Sequence, residues 1–172
     1  MTKILLTRHG HVEGITPERF RGRQPLALTE LGRAEAEAGA CGLAAGEAHD
    51  ELNDTDYGRW QFKTFADAKA DDPALFAAWF ETPQLVRFPG GESLQDLAAR
   101  VANALRFVLT RHASDTIVIV GHDSVNRALL LQRRTRLDPH RDHRGSHSAF
   151  GLEIRYRPAM DIGPARRSAI CR

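Results

Sequence analysis

Two short apolar runs limit what this chain can fold into. Lys3-Ile4-Leu5-Leu6-Thr7 ends abruptly in Arg8-His9-Gly10, and Thr116-Ile117-Val118-Ile119-Val120 ends in Gly121-His122. Continuous apolar runs of this length, rich in β-branched residues, read as strands of a parallel sheet that helices cover on both faces. Both histidines then fall just past the carboxyl end of a strand, the edge of an open α/β sheet where ligands bind. The 112 residues between them do not keep the two imidazoles from meeting around one ligand. One histidine at a strand-loop junction is ordinary. Two of them, with Arg8 beside the first, point to chemistry.

The length of 172 residues suits one domain with a real core. The net charge of +2 argues against nucleic-acid or membrane partners, yet it hides an asymmetry. Residues 132–172 carry ten arginines against four acids, whereas residues 1–131 carry 14 basic and 18 acidic side chains. The expected organisation is therefore a domain over 1–131 and a basic, divergent segment over 132–172 that is disordered or partly strand. Cys41 and Cys171 form no disulfide framework and have no metal-ligand spacing. No basic leader precedes the first run and no run is long enough to span a bilayer, so the expected location is the cytoplasm.

Local signals place the intervening elements. Thr29 is a fitting N-cap, with Glu30 in the first turn of a helix rich in alanine. Asp72-Pro73 opens a short helix whose Leu75, Phe76, Trp79 and Phe80 form an apolar stripe, expected to be core or a lid over the site. Phe62, Phe76, Trp79 and Arg87 are the expected lid residues. Ser93, three residues before Asp96, caps a long helix lined by Leu94, Leu97, Val101, Leu105, Val108 and Leu109. Ser124 is expected to cap a last helix through Arg127 and Leu129 to Leu131.

A neutral imidazole has an exposed lone pair near pH 7 and attacks phosphorus well, giving a phosphoramidate labile enough to hydrolyse. Cations must meet the charge on the transferring group, and Arg8, His122 and Arg21 are available, with Gly10 and Gly22 letting backbone come close. A carboxylate must protonate the leaving oxygen and later activate water. Asp54 and Asp56 are the candidates. No convergent ligand spacing suggests a metal cage.

These residues carry a resemblance. Leu5-Leu6-Thr7-Arg8-His9-Gly10, Arg19-Phe20-Arg21-Gly22, Leu28-Thr29-Glu30-Leu31-Gly32, Leu52-Asn53-Asp54-Thr55-Asp56-Tyr57-Gly58, Gly90-Gly91-Glu92-Ser93 and Gly121-His122 resemble, in order, the signature of the histidine phosphatase superfamily. The resemblance covers residues 3–131. It implies a phosphoglycerate-mutase-like α/β fold, a three-layer α/β/α sandwich, with no metal or organic cofactor. It also implies that His9 becomes the phosphohistidine, that Arg8 and His122 hold phosphoryl oxygens, and that Asp54 is the acid/base. Gly10, Arg21, Gly22, Asp56, Tyr57, Asp123 and Ser124 make up the implied substrate-binding set. The implied partner is a small phosphorylated substrate or a phosphopeptide.

The chain departs from the family pattern in two places. Only nineteen residues separate Gly32 from Leu52, where members of the family usually carry a second core strand, a further helix and another phosphate-binding arginine. The sheet is therefore expected to lack one strand, and the pocket one cation. Losing such a contact removes on the order of 2–4 kcal/mol of transition-state stabilisation. Strand edges left unpaired favour a homodimer. After Leu131 the text turns to arginine, proline and histidine with few aliphatics, a composition that a shifted reading frame of a GC-rich gene would also give, and strand-like alternation is confined to 149–156. The expected activity is a phosphomonoester phosphatase. The alternatives are mutase-type phosphoryl transfer, and an impaired remnant that binds a phosphorylated ligand or a partner.

Overall fold

The computed structural model describes residues 2–40, 43, 46–134, 152–156 and 167–171. The two apolar runs form parallel neighbouring strands, β1 (Thr2–Arg8) and β2 (Thr116–Gly121), in a register that sets Arg8 opposite Gly121. The next residues in each chain direction, His9 and His122, thus leave the sheet at the same edge. The His9 amide donates to the Gly121 carbonyl at 3.1 Å and extends the pairing one step.

Side chains alternate in a strand, so each has two faces of different fate. Ile4, Leu6, Ile117 and Ile119 are buried against α4 (Leu94–Arg111) and α5 (Asp123–Arg134), through Leu97, Val101, Leu105, Val108, Val125 and Leu129. The opposite face, with Leu5, Val118 and Val120, is half-buried. Burial is thus complete on one face only, short of the two covered faces expected from the apolar runs. Helix α1 (Glu30–Ala40) is exposed along most of its length.

The cap signals are met. Thr29 Oγ1 accepts from the Gly32 amide, Asp72 accepts from the Leu75 amide, and Ser93 and Asp96 form a reciprocal capping box. A second capping box, Thr64 with Asp67, starts α2 (Phe65–Asp71), a helix absent from the sequence expectation. Asp72 then starts α3 (Pro73–Glu81). The apolar stripe of α3 belongs to a separate core of rings, in which Phe20, Trp60 and Phe88 are buried and Tyr57, Phe65, Phe76 and Trp79 pack around them. Phe20 sits at its centre, 4.7 Å from Phe65 and 5.1 Å from both Tyr57 and Trp60 between ring centroids. Tilted and edge-on ring pairs of this kind each add about 0.5–1.5 kcal/mol beyond their buried area.

The start of the last helix differs from expectation. α5 begins at Asp123, with the Asn126 amide bonded to the His122 carbonyl, so Ser124 lies inside the first turn and its hydroxyl is free for another partner. Two further strands come from the basic segment. β3 (Leu152–Tyr156) lies antiparallel to β1, within the stretch that alternates in sequence, and β4 (Arg167–Cys171) lies parallel to β2, where no strand was expected. The sheet order is β3-β1-β2-β4. Among the described residues no strand lies between β1 and β2 in sequence. The histidine-rich stretch 140–147 and Cys41 lie outside the described residues.

Trp60 is 1% exposed, so Trp60→Ala should cost about 3–5 kcal/mol of unfolding free energy in urea, followed by circular dichroism. Phe80, at 56% exposed on the same ring cluster, should lose under about 1 kcal/mol as Phe80→Ala. Equal losses would contradict the described packing.

Candidate functional site

Where β1 and β2 end, the two imidazoles face each other with ring centroids 4.9 Å apart and planes tilted by 56°. His9 Nδ1 lies 2.7 Å from the Gly10 carbonyl oxygen. A carbonyl only accepts, so Nδ1 carries the hydrogen and the lone pair sits on Nε2. Gly10 itself approaches α1 so closely that a Cβ there would collide with the Gly32 carbonyl, which explains why a glycine follows His9.

His122 faces a carboxylate. Its Nδ1 lies 3.8 Å from Asp54 Oδ2, while Asp54 Oδ1 accepts from the Ser124 hydroxyl at 2.5 Å and from the Thr55 amide at 2.8 Å. One carboxylate oxygen is thus fixed by two donors, and the other is turned to the imidazole. Burial pushes His122 below its ordinary pKa of 6.5; the Asp54 carboxylate opposes this, and the neighbouring His9 ring and the Arg8 guanidinium reinforce it. Burial, with the Asp54 charge adding to it, pushes the nearby Tyr57 phenol up to about 12, so it remains a donor at any physiological pH.

The segment that carries Asp54 is held from α4. Arg100 donates to the carbonyls of Glu51, Asn53 and Asp54 at 2.7, 2.7 and 3.0 Å, and to both carboxylate oxygens of Glu92 at 2.9 and 2.6 Å. Glu92 in turn accepts from the Asp56 amide at 2.9 Å. Sequence reasoning named neither Arg100 nor Glu92 as functional. The signal was available: Arg100 is a cation within the stripe Leu97, Val101 and Ala104 that the helix buries.

These groups open on a cavity of about 1020 Å³. Arg8, His9, Arg21, Gly22, Asp54, Tyr57, His122, Asp123 and Ser124 all line it. Neither the Arg8 nor the Arg21 guanidinium bonds to another described residue, and Arg21 Nη1 is buried without a partner. The turn that presents Arg21 is pinned by a bond from Gln61 Nε2 to its carbonyl at 2.6 Å, and by Gly22, whose φ of +48° and tight contact with Thr55 and Tyr57 exclude a side chain. Two residues of the expected set stand apart. Asp56 does not line the cavity: its Oδ1 accepts from the Gly58 amide and its Oδ2 pairs with Arg23, a turn-forming role. Gly10 lies behind His9 and acts through its carbonyl. Of the expected lid residues only Trp79 lines the cavity. Phe76 is in the ring core, Phe62 is 38% exposed with the Arg19 guanidinium over its ring, and Arg87 pairs with Asp96.

The arrangement suits a tetrahedral oxyanion: two guanidinium groups without a partner among the described residues, a nucleophilic nitrogen, an imidazole and an oriented carboxylate converge on one space. Among the described residues no three His, Cys, Asp or Glu side chains converge to hold a metal ion, and no helix is long and apolar enough to cross a membrane.

The chain is similar to proteins already known. The sequence profile of the Histidine phosphatase superfamily (branch 1) matches residues 40–153, 114 of 172 residues, a span that includes Asp54 and His122 and follows Arg8 and His9. Phosphoserine phosphatase 1 of Hydrogenobacter thermophilus is 28% identical over 157 residues, 75% of this chain and 74% of that protein. A bifunctional protein of Mycobacterium tuberculosis is 29% identical over 158 residues; the match takes in 75% of this chain and spans 43% of that protein's length. The structure of YhfR from Bacillus stearothermophilus superposes with a TM-score of 0.69 at 26% identity, covering 77% of this chain and 79% of that one.

The pH behaviour of His122 follows from its surroundings. Its pKa is lower folded than unfolded, so its contribution to stability is fully present above about pH 6.5 and is lost as pH falls through the depressed folded value. A bound anion supplies negative charge and should return the proton. In NMR titrations, the His122 ring should titrate below 6.5 in the free protein and move upward with saturating orthovanadate. A free-protein value above 6.5 would contradict this environment.

Proposed function

The chain belongs to the histidine phosphatase superfamily, and we propose that it hydrolyses phosphomonoesters through a phosphohistidine formed at Nε2 of His9, without a metal ion. The observation that carries this reading is the pair of facing imidazoles at the end of β1 and β2, with His9 held by Gly10 in the tautomer that leaves Nε2 free. The phosphatase activity named for the Hydrogenobacter relative supports the reaction class.

In the first step the Nε2 lone pair attacks phosphorus, the nitrogen–phosphorus bond forms and the ester oxygen–phosphorus bond breaks. Protonated Asp54 gives its Oδ2 proton to the departing oxygen, since Oδ1 is occupied by Ser124 and Thr55. Arg8 and Arg21, which have no other described partner, take up charge on the equatorial oxygens, and His122 donates to one of them. In the second step the Asp54 carboxylate removes a proton from water as its oxygen attacks phosphorus. The nitrogen–phosphorus bond breaks, inorganic phosphate leaves, and His9 returns to its starting tautomer. Arg21 here stands in for the arginine that the shortened segment between Gly32 and Leu52 does not provide.

The full chain should release inorganic phosphate from p-nitrophenyl phosphate in the presence of EDTA, and His9→Ala should lower the rate by at least about a thousandfold. Rapid quenching of the wild-type reaction should trap an acid-labile, base-stable phosphoryl label at His9. Undiminished turnover by the variant would refute the assignment, and ligand-induced stabilisation without any label would favour a binding remnant.

A further inference from the structure

Resting on the phosphatase reading, we propose that the alcohol half of the substrate is a large apolar group bearing rings, so that the enzyme acts on aryl or similarly hydrophobic phosphomonoesters and discriminates against small phosphorylated acids. A phosphoryl group fills a small part of the cavity, whose volume of about 1020 Å³ lies at the upper end of what holds ligands of drug size. The remainder is walled on one side by Tyr57, Trp79 and Phe80 and on the other by Leu94, Leu97 and Leu131. Phe80 and Leu131 are 56% and 60% exposed at this wall, large apolar side chains that water would otherwise face. Ring-bearing ligands recover that area, with Tyr57 and Trp79 as aromatic partners at the lining.

Charge points the same way. A small phosphorylated acid needs a second cation for its carboxylate, beside those that hold the phosphoryl group. Arg19, at the cavity wall, donates to the Phe62 carbonyl at 3.2 Å and lies 4.9 Å over the Phe62 ring. Arg127 pairs with Asp123 at 2.8 Å. Among the described residues at the cavity, Arg8 and Arg21 alone are unpaired arginines, and the phosphoryl dianion takes both.

The test compares kcat/KM of the full chain for 1-naphthyl phosphate with that for O-phosphoserine and for 3-phosphoglycerate. The aryl ester should be favoured by about a hundredfold, the worth of burying its rings. Phe80→Ser and Leu131→Ser, both at exposed positions, should each lower the naphthyl-to-phosphoserine ratio by about 3- to 10-fold. If the small acids are turned over as well as the aryl ester while hydrolysis still requires His9, the substrate class is wrong and the phosphatase reading stands. If nothing is turned over, calorimetry on His9→Ala decides: 1-naphthyl phosphate binding at least about tenfold tighter than phosphoserine supports the apolar subsite, and equal or weaker binding overturns it.

Discussion

The parallel pairing of β1 with β2 is the constraint from which the rest of this molecule follows. With Arg8 set opposite Gly121, the first residues to leave the sheet are His9 and His122, and this register brings the two rings together. A slip of one strand by one residue would turn its own pair, Ile4 and Leu6 or Ile117 and Ile119, away from the core they build with α4 and α5. The apolar pattern that stabilises the sheet and the meeting of the imidazoles are therefore one requirement.

The third party to the site, Asp54, depends on a different device. It sits on an irregular segment with no ladder to hold it, and Arg100 supplies the missing order by satisfying the carbonyl groups of Glu51, Asn53 and Asp54 and the buried Glu92 carboxylate together. Removing one partner of such a buried pair leaves an uncompensated charge, which generally costs more than the pair contributes in stability. Ser124 completes the arrangement from the first turn of α5. The carboxylate is thus fixed from two helices that also form the core.

How much of this was legible in the sequence depended on whether the signal was local. The strands, the caps at Thr29, Asp72 and Ser93 and the apolar face of α4 are written in consecutive residues and were found. Residue type alone leaves the choice between Asp54 and Asp56 open, and only the family resemblance favours Asp54; both lie on one loop, and their tertiary partners, Ser124 and His122 for one and Gly58 and Arg23 for the other, separate them. Ser124 has the residue type of a helix cap, but α5 starts at Asp123, two residues before the start that such a cap would set. β4 has no signal in the sequence because Arg167–Cys171 shows no polar-apolar alternation, and its place is set by the edge that β2 offers. The ring core was read as a stripe on α3, while its centre, Phe20, lies in a loop that carries no periodicity at all.

Both tryptophans of the chain belong to that ring core and neither touches the strand pair. Trp60 is sealed from water, whereas Trp79 is half-buried and borders the cavity. Intrinsic emission therefore reports on the aromatic lobe alone: a blue-shifted band from one indole, and from the other a band sensitive to whatever occupies the neighbouring space. The sheet that brings the imidazoles together is silent in this signal.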